Sequence, residues 1–198
     1  MQHTYHKLKM RPLTADTVVF RYAQGLPASV EIEDAALTVM TDLTCVKVFT
    51  VTPQTFIDDA LQKMIHAEVR LLVVTDASDT VLGLISANDI MGERPVSISS
   101  AEGIPHSAIQ VVQVMTPRED IDALRMKDVE EARVGDIVAT LRGAGRQHAI
   151  VLDEDDRGRA ILRGIFSTTQ IARQLGVVIE PDGKAQTFAE LERALHVA

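Results

Sequence analysis

The sequence predicts a mixed α and β fold built from one strand–helix–strand–strand–helix unit used twice, and three observations predict it. First, Ile57, Ala60, Leu61, Met64 and Ile65 fall at steps of 0, 3, 4, 7 and 8. That is one helical stripe, with Asp58, Asp59, Gln62 and Lys63 on the other side. Second, residues 71–74 and 81–85 are short apolar runs on either side of the turn Ala77-Ser-Asp-Thr80, the pattern of two buried strands. Third, the whole pattern returns.

The return can be followed landmark by landmark. Val39-Met-Thr41 reappears as Val114-Met-Thr116, 75 residues on. The stripe Val134, Ile137, Val138, Leu141 repeats the helical spacing from a start 77 residues after Ile57. Residues 72–76 match 149–153 at the same offset, and Gly83-Leu-Ile-Ser-Ala-Asn-Asp-Ile90 matches Gly164-Ile-Phe-Ser-Thr-Thr-Gln-Ile171 at 81. The offset grows only around residues 118–131 and 153–158, which read as loops, where insertions are tolerated best.

The remaining segments are punctuated differently. Residues 1–36 hold Pro12, Gly25 and Pro27, with one strand-like run at 16–22, and read as an N-terminal arm. Residues 92–108, with two prolines, two glycines and four serines, read as a linker that crosses from one half to the other. Gly176 suits a helix C-cap. Thr187-Phe-Ala-Glu190 is a capping box opening a last short helix. The resulting division is an arm at 1–36, a first repeat at 37–96, a linker at 97–108, a second repeat at 109–177 and a tail at 178–198.

Composition excludes several classes. The 198 residues are 46% hydrophobic and 24% charged, ordinary for a globular chain, with a net charge of −8 and a pI near 5.2. Only two Tyr, five Phe and no Trp leave no aromatic platform for single-stranded nucleic acid. The acidic balance disfavours duplex binding, which needs phosphates neutralised by Lys and Arg. Residues 119–136 carry seven acids against three bases, and Asp153-Glu-Asp-Asp156 adds a second acidic cluster; both read as solvated faces. No apolar run approaches a membrane span, and the polar start resembles no secretory signal. Cys45 is the single cysteine, which suits a reducing compartment, so a cytoplasmic location is expected. The six histidines show no metal-ligand spacing. No nucleophile elbow, phosphate loop or dinucleotide fingerprint occurs, and no nucleophile, base and orienting group assemble, so the chain is expected not to be an enzyme.

A unit of this length, entered by Val-Met-Thr and closed by Gly-h-h-Ser-x-x-Asp (h being apolar), resembles a CBS domain, and two in tandem resemble a Bateman module. The resemblance covers residues 37–177 and points to a stand-alone member of bacterial type. It implies an α+β fold in which two β-α-β-β-α repeats pack sheet to sheet about a pseudo-twofold axis. It also implies clefts between the repeats for an adenosine-containing ligand (AMP, ADP, ATP or S-adenosylmethionine), a homodimer, and a regulatory role toward a partner protein. No cofactor is required on this reading.

Carried onto this sequence, the resemblance implies that Asp89 bonds the ribose hydroxyls and that Ser86 assists at ribose or phosphate. A carboxylate can accept from two neighbouring O–H groups. Thr50 matches a threonine preceding the first helix, and Arg70, Arg146 and His148 match positions near phosphate. The second repeat departs from the pattern, because Gln170 stands where the carboxylate would be, so at most one good nucleotide site per chain is expected. Read without the family, Ser86-x-x-Asp89 and Ser167-x-x-Gln170 both look like capping boxes. On the scaffold alternative, the clefts hold no ligand and the module acts only through its partner. The run Leu141-Arg-Gly-Ala-Gly-Arg146 reads as a helix terminator.

Overall fold

The computed structural model describes residues 9–17 and 24–177. Most of the strand-like run at 16–22 and the expected helix after Thr187 lie outside the described residues. The first series of elements is β1 (Thr41–Asp42), β2 (Thr50–Val51), α1 (Ile57–His66), β3 (Leu71–Thr75), β4 (Val81–Ser86) and α2 (Ala87–Met91). Then come α3 (Glu93–Glu102) and α4 (Val111–Val114). The second series is β5 (Thr116–Pro117), β6 (Ala123–Arg125), α5 (Met126–Glu131), α6 (Val134–Gly143), β7 (His148–Glu154), β8 (Ala160–Ser167) and α7 (Thr168–Gln174).

The stripes and runs fold as their periods require. Ile57, Ala60 and Met64 of α1 are buried, as are Val134, Ile137, Val138 and Leu141 of α6. Leu72, Val73 and Val74 of β3 are buried in succession, because one face meets helices and the other meets the second sheet. The chain is α+β, with two four-stranded sheets in the orders β2-β3-β4-β5 and β1-β8-β7-β6.

These orders contain an exchange. β1 opens the first repeat but pairs antiparallel with β8 of the second, Thr41 opposite Ile165 and Asp42 opposite Gly164. β5 lies near the start of the second repeat and pairs with β4 of the first, Thr116 opposite Leu84 and Pro117 opposite Gly83. The registers match position for position, which is the pseudo-twofold relation. The cores follow the same rule. Ala36, Val39 and Met40 pack with Val134, Leu141 and Phe166, whereas Ile109, Val111 and Val114 pack with Ile57, Leu72 and Ile85. Val73, Leu84 and Ile150 form a third buried cluster that joins β3, β4 and β7 across the two sheets.

Two loop readings are corrected. Residues 92–108 do not cross between halves as an irregular linker: they carry α3, and Ile98 and Ile104 pack against the first core. Pro95 is compatible with this helix because it sits in the first turn, where its missing N–H would have had no acceptor. The chain crosses instead between β1 and β2 and between β5 and β6. Within 118–131, read as loop, β6 pairs parallel with β7. α5 follows and buries Met126 and Val129 one turn apart. Gly176 has φ +71° and ends α7 as expected.

Candidate functional site

Two clefts flank the pseudo-axis at one end of the sheets, and Leu71 and His148 line both. The first, about 210 Å³, is built where β4 runs into α2. Ser86 caps α2: its backbone N–H and its hydroxyl donate to Asp89 Oδ2 at 2.7 and 2.6 Å, and the Asp89 N–H faces Ser86 Oγ at 3.3 Å. The capping box is therefore complete. Oδ1 of Asp89 has no hydrogen-bond partner among the described residues.

The opposite wall comes from the turn between α6 and β7. Gly145, at φ +62°, lets the Arg146 N–H reach back to the Leu141 carbonyl at 3.0 Å, a helix-terminating bond that turns residues 145–148 into the cleft. Arg146 also donates from its guanidinium to the Asp120 carbonyl at 2.8 Å. Burial pushes the His148 imidazole down to about 4, with nearby Arg70 reinforcing the shift and Asp89 opposing it. His148 is therefore neutral at neutral pH, with one ring nitrogen to donate and one to accept. The structure thus gathers Ser86, Asp89, Arg146 and His148 in one place.

The second cleft, about 480 Å³, is the pseudo-twofold counterpart. Ser167 and Gln170 stand where Ser86 and Asp89 stand in the first, Thr41 where Thr116 stands, and Glu68 where Gly145 stands. Arg70 lines this cleft and not the one at Asp89, although its guanidinium lies 3.5 Å from Asn88 Oδ1 at the divide. The arm adds a wall that the first cleft lacks, Leu26, Pro27 and Ala28. It is pinned by Gln174, which donates to the Pro27 carbonyl at 2.9 Å and to the Thr38 carbonyl at 3.0 Å.

Ser167 and Gln170 do not form the capping box their spacing resembles. Ser167 makes no side-chain cap, and Gln170 accepts from Thr41 Oγ1 at 3.1 Å. The longer glutamine side chain reaches the exchanged strand rather than its own helix start. Thr50 is also placed elsewhere: it lines a third cavity, away from Asp89. Its backbone pairs with Val73, two residues along β3 from Leu71 at the cleft. Of the threonines that line the two clefts, Thr116 and its counterpart Thr41 belong to the Val-Met-Thr landmarks. The repeat itself marked them, but only pairing across the halves shows why they matter.

Cys45 is exposed, and no cluster of three His, Cys, Asp or Glu side chains suited to a metal occurs among the described residues. No helix among the described residues is long and apolar enough to cross a membrane.

Residues 33–95 match the CBS domain family. No curated protein matches the chain. Among solved structures, an uncharacterised conserved protein from Pyrococcus horikoshii is 19% identical with a TM-score of 0.53, covering 77% of this chain and 100% of its own. A CBS-domain containing protein from Agrobacterium tumefaciens is 21% identical at a TM-score of 0.52, over 78% of this chain and 98% of that one. A conserved CBS domain protein of unknown function from Thermoplasma acidophilum is 20% identical at 0.50, over 79% of this chain and 76% of that one. These likenesses establish the fold.

Proposed function

With a CBS domain at residues 33–95 and the fold of CBS-domain proteins, we propose that this chain is a non-catalytic regulatory module that binds an adenine nucleotide or related adenosyl ligand in the cleft at Asp89. One observation carries the reading: residues about 60 positions apart, Ser86 and Asp89 on one side and Arg146 and His148 on the other, meet in a single cleft. Oδ1 of Asp89 accepts from a ribose hydroxyl, and Arg146 meets phosphate. At about 210 Å³ the cleft suits a ribose with one phosphate, and the base extends along Leu71 and His148 toward the adjoining second cleft.

The module acts as a homodimer on a partner protein. The helices of the first half support this by exposing Ile65, Met91, Val96 and Val112, with Phe56 at the start of α1. Signalling requires that the ligand bind two arrangements of that dimer with different affinity, since equal affinity shifts nothing.

The test is a melting-temperature series with AMP, ADP, ATP, S-adenosylmethionine and cyclic dinucleotides, on wild type and Asp89→Ala. A ligand at a hundred times its Kd adds about 2.7 kcal/mol. The expected result is a shift for at least one ligand that Asp89→Ala abolishes while the dimer persists. A second reading, a scaffold with unliganded clefts, draws on the internal bonds that engage both Asp89 Oδ2 and Gln170. Absence of any shift would favour it, and an undiminished shift in Asp89→Ala would remove Asp89 from the site.

A further inference from the structure

A third cavity, about 930 Å³, opens at the end of the paired sheets away from Asp89, and its volume is in the range of small-molecule sites. Its floor is Val73 and Ile150, matching residues of β3 and β7 that are 2% and 6% exposed where the sheets meet. Alternation along β3 decides what else faces it. Leu72 and Val74 belong to the core under the helices and Val73 to the junction of the sheets. Thr75, two residues on, lines the cavity beside Val73.

The Thr75 hydroxyl is out of place there. Thr75 is 7% exposed, and its hydroxyl makes no hydrogen bond among the described residues. Folded proteins seldom bury a polar side chain without a partner. The fold itself asks for no hydroxyl at this position, since Leu152 matches Thr75 by register in the second half and lines the same cavity. Ala123 matches Thr50 in the same way. One wall thus supplies hydroxyls and the wall facing it is aliphatic. The charges at the mouth are already committed. Asp76 accepts from the Thr80 and Ser78 N–H groups and lies near Arg118, and together these hold its carboxyl below its ordinary range. Arg159 is held by Asp155 at 2.7 Å. Asp79, at the same rim, is exposed to water. No positive charge is left to select an anion.

We propose that this cavity is a binding site, separate from the Asp89 cleft, for a neutral and largely aliphatic molecule bearing one hydroxyl or carbonyl oxygen. The aliphatic body lies against Val73, Ile150 and Leu152, and the oxygen pairs with Thr75, whose hydroxyl can donate or accept. A charged end group has no such partner and loses its water on entry.

The test is calorimetric titration of the full chain at neutral pH with 1-octanol, octanoate and octylamine. It is run on wild type, Thr75→Val, Ala123→Leu and Asp89→Ala. Octanol should bind saturably and more tightly than either ion. Its affinity should fall several-fold in Thr75→Val, the loss of one neutral hydrogen bond. It should fall also in Ala123→Leu, which narrows the cavity, and stay unchanged in Asp89→Ala. Thr75→Val should melt at least as high as wild type, because the isosteric change breaks no internal bond. The proposal is overturned if octanol fails to saturate, if either ion binds as tightly, or if Thr75→Val or Ala123→Leu binds octanol like wild type. Loss of binding in Asp89→Ala would place the alcohol in the other cleft, and a several-degree fall in the Thr75→Val melting temperature would give the hydroxyl a partner in the fold; either result overturns it as well.

Discussion

A Cβ atom built on Gly83 would lie 2.5 Å from the carbonyl oxygen of Thr116. The glycine is what lets β5, an element of the second repeat, lie against β4 of the first. Gly164 is its counterpart, where a Cβ would lie 2.5 Å from Met40 Sδ. The two obstacles differ, since one is backbone and the other the end of a flexible side chain. Gly83→Ala should therefore cost about 2–3 kcal/mol and Gly164→Ala less, in the range of overpacked cores. Urea unfolding of the two variants checks the order.

Asp89 serves α2 whether or not it also serves a ligand. Asp89→Ala removes the reciprocal half of the capping box and should cost about 1 kcal/mol. Asp89→Asn keeps an acceptor for the Ser86 N–H and should recover most of that stability, but not the charge that favours ribose. Melting curves without ligand isolate the cap. Binding isotherms on the same two variants isolate the carboxylate.

His148 gives the fold an acid-sensitive term. Its folded value of about 4 lies below the ordinary 6.5, so the unfolded chain binds more protons between those values. Stability is therefore complete above pH 6.5 and is lost as pH falls toward 4, by about 3 kcal/mol from this group. His148→Asn, which cannot titrate, should flatten that part of the pH profile measured by chemical denaturation.

Gln174 is among the few buried polar side chains, 6% exposed, and it ties α7 to the arm at Pro27 and to the segment before β1 at Thr38. Gln174→Leu leaves two carbonyls without that donor and should cost about 1–3 kcal/mol. Hydrogen exchange should report faster exchange at Val30, whose N–H donates to the Gln174 carbonyl at 2.9 Å.

Glu68 occupies the left-handed region at φ +54°, at the position that Gly145 fills in the second repeat. A non-glycine residue there is strained by about 1–2 kcal/mol. Glu68→Gly should raise the melting temperature, and Gly145→Ala should lower it. Differential scanning calorimetry distinguishes the pair.

The α+β class, the duplication, the stripes of α1 and α6, the paired strands β3–β4 and β7–β8, and the cap at Ser86 are all legible in the chain alone. All of these rest on periods, runs and short-range spacings, which the chain carries locally. It did not reveal the exchange of β1 and β5, the helix in 93–102, or the grouping of the candidate site. The motif groups Thr50 and Arg70 with Asp89, whereas the sheet registers put Thr50 at the far cavity and Arg70 in the second cleft. The spacing of Gln170 reads as a cap, but its side chain reaches Thr41, 129 residues away. The physical reason is the same in each case. Which side chains share a cleft depends on pairing between distant strands, and that is decided by the burial of one sheet against another, not by any property of the neighbouring sequence.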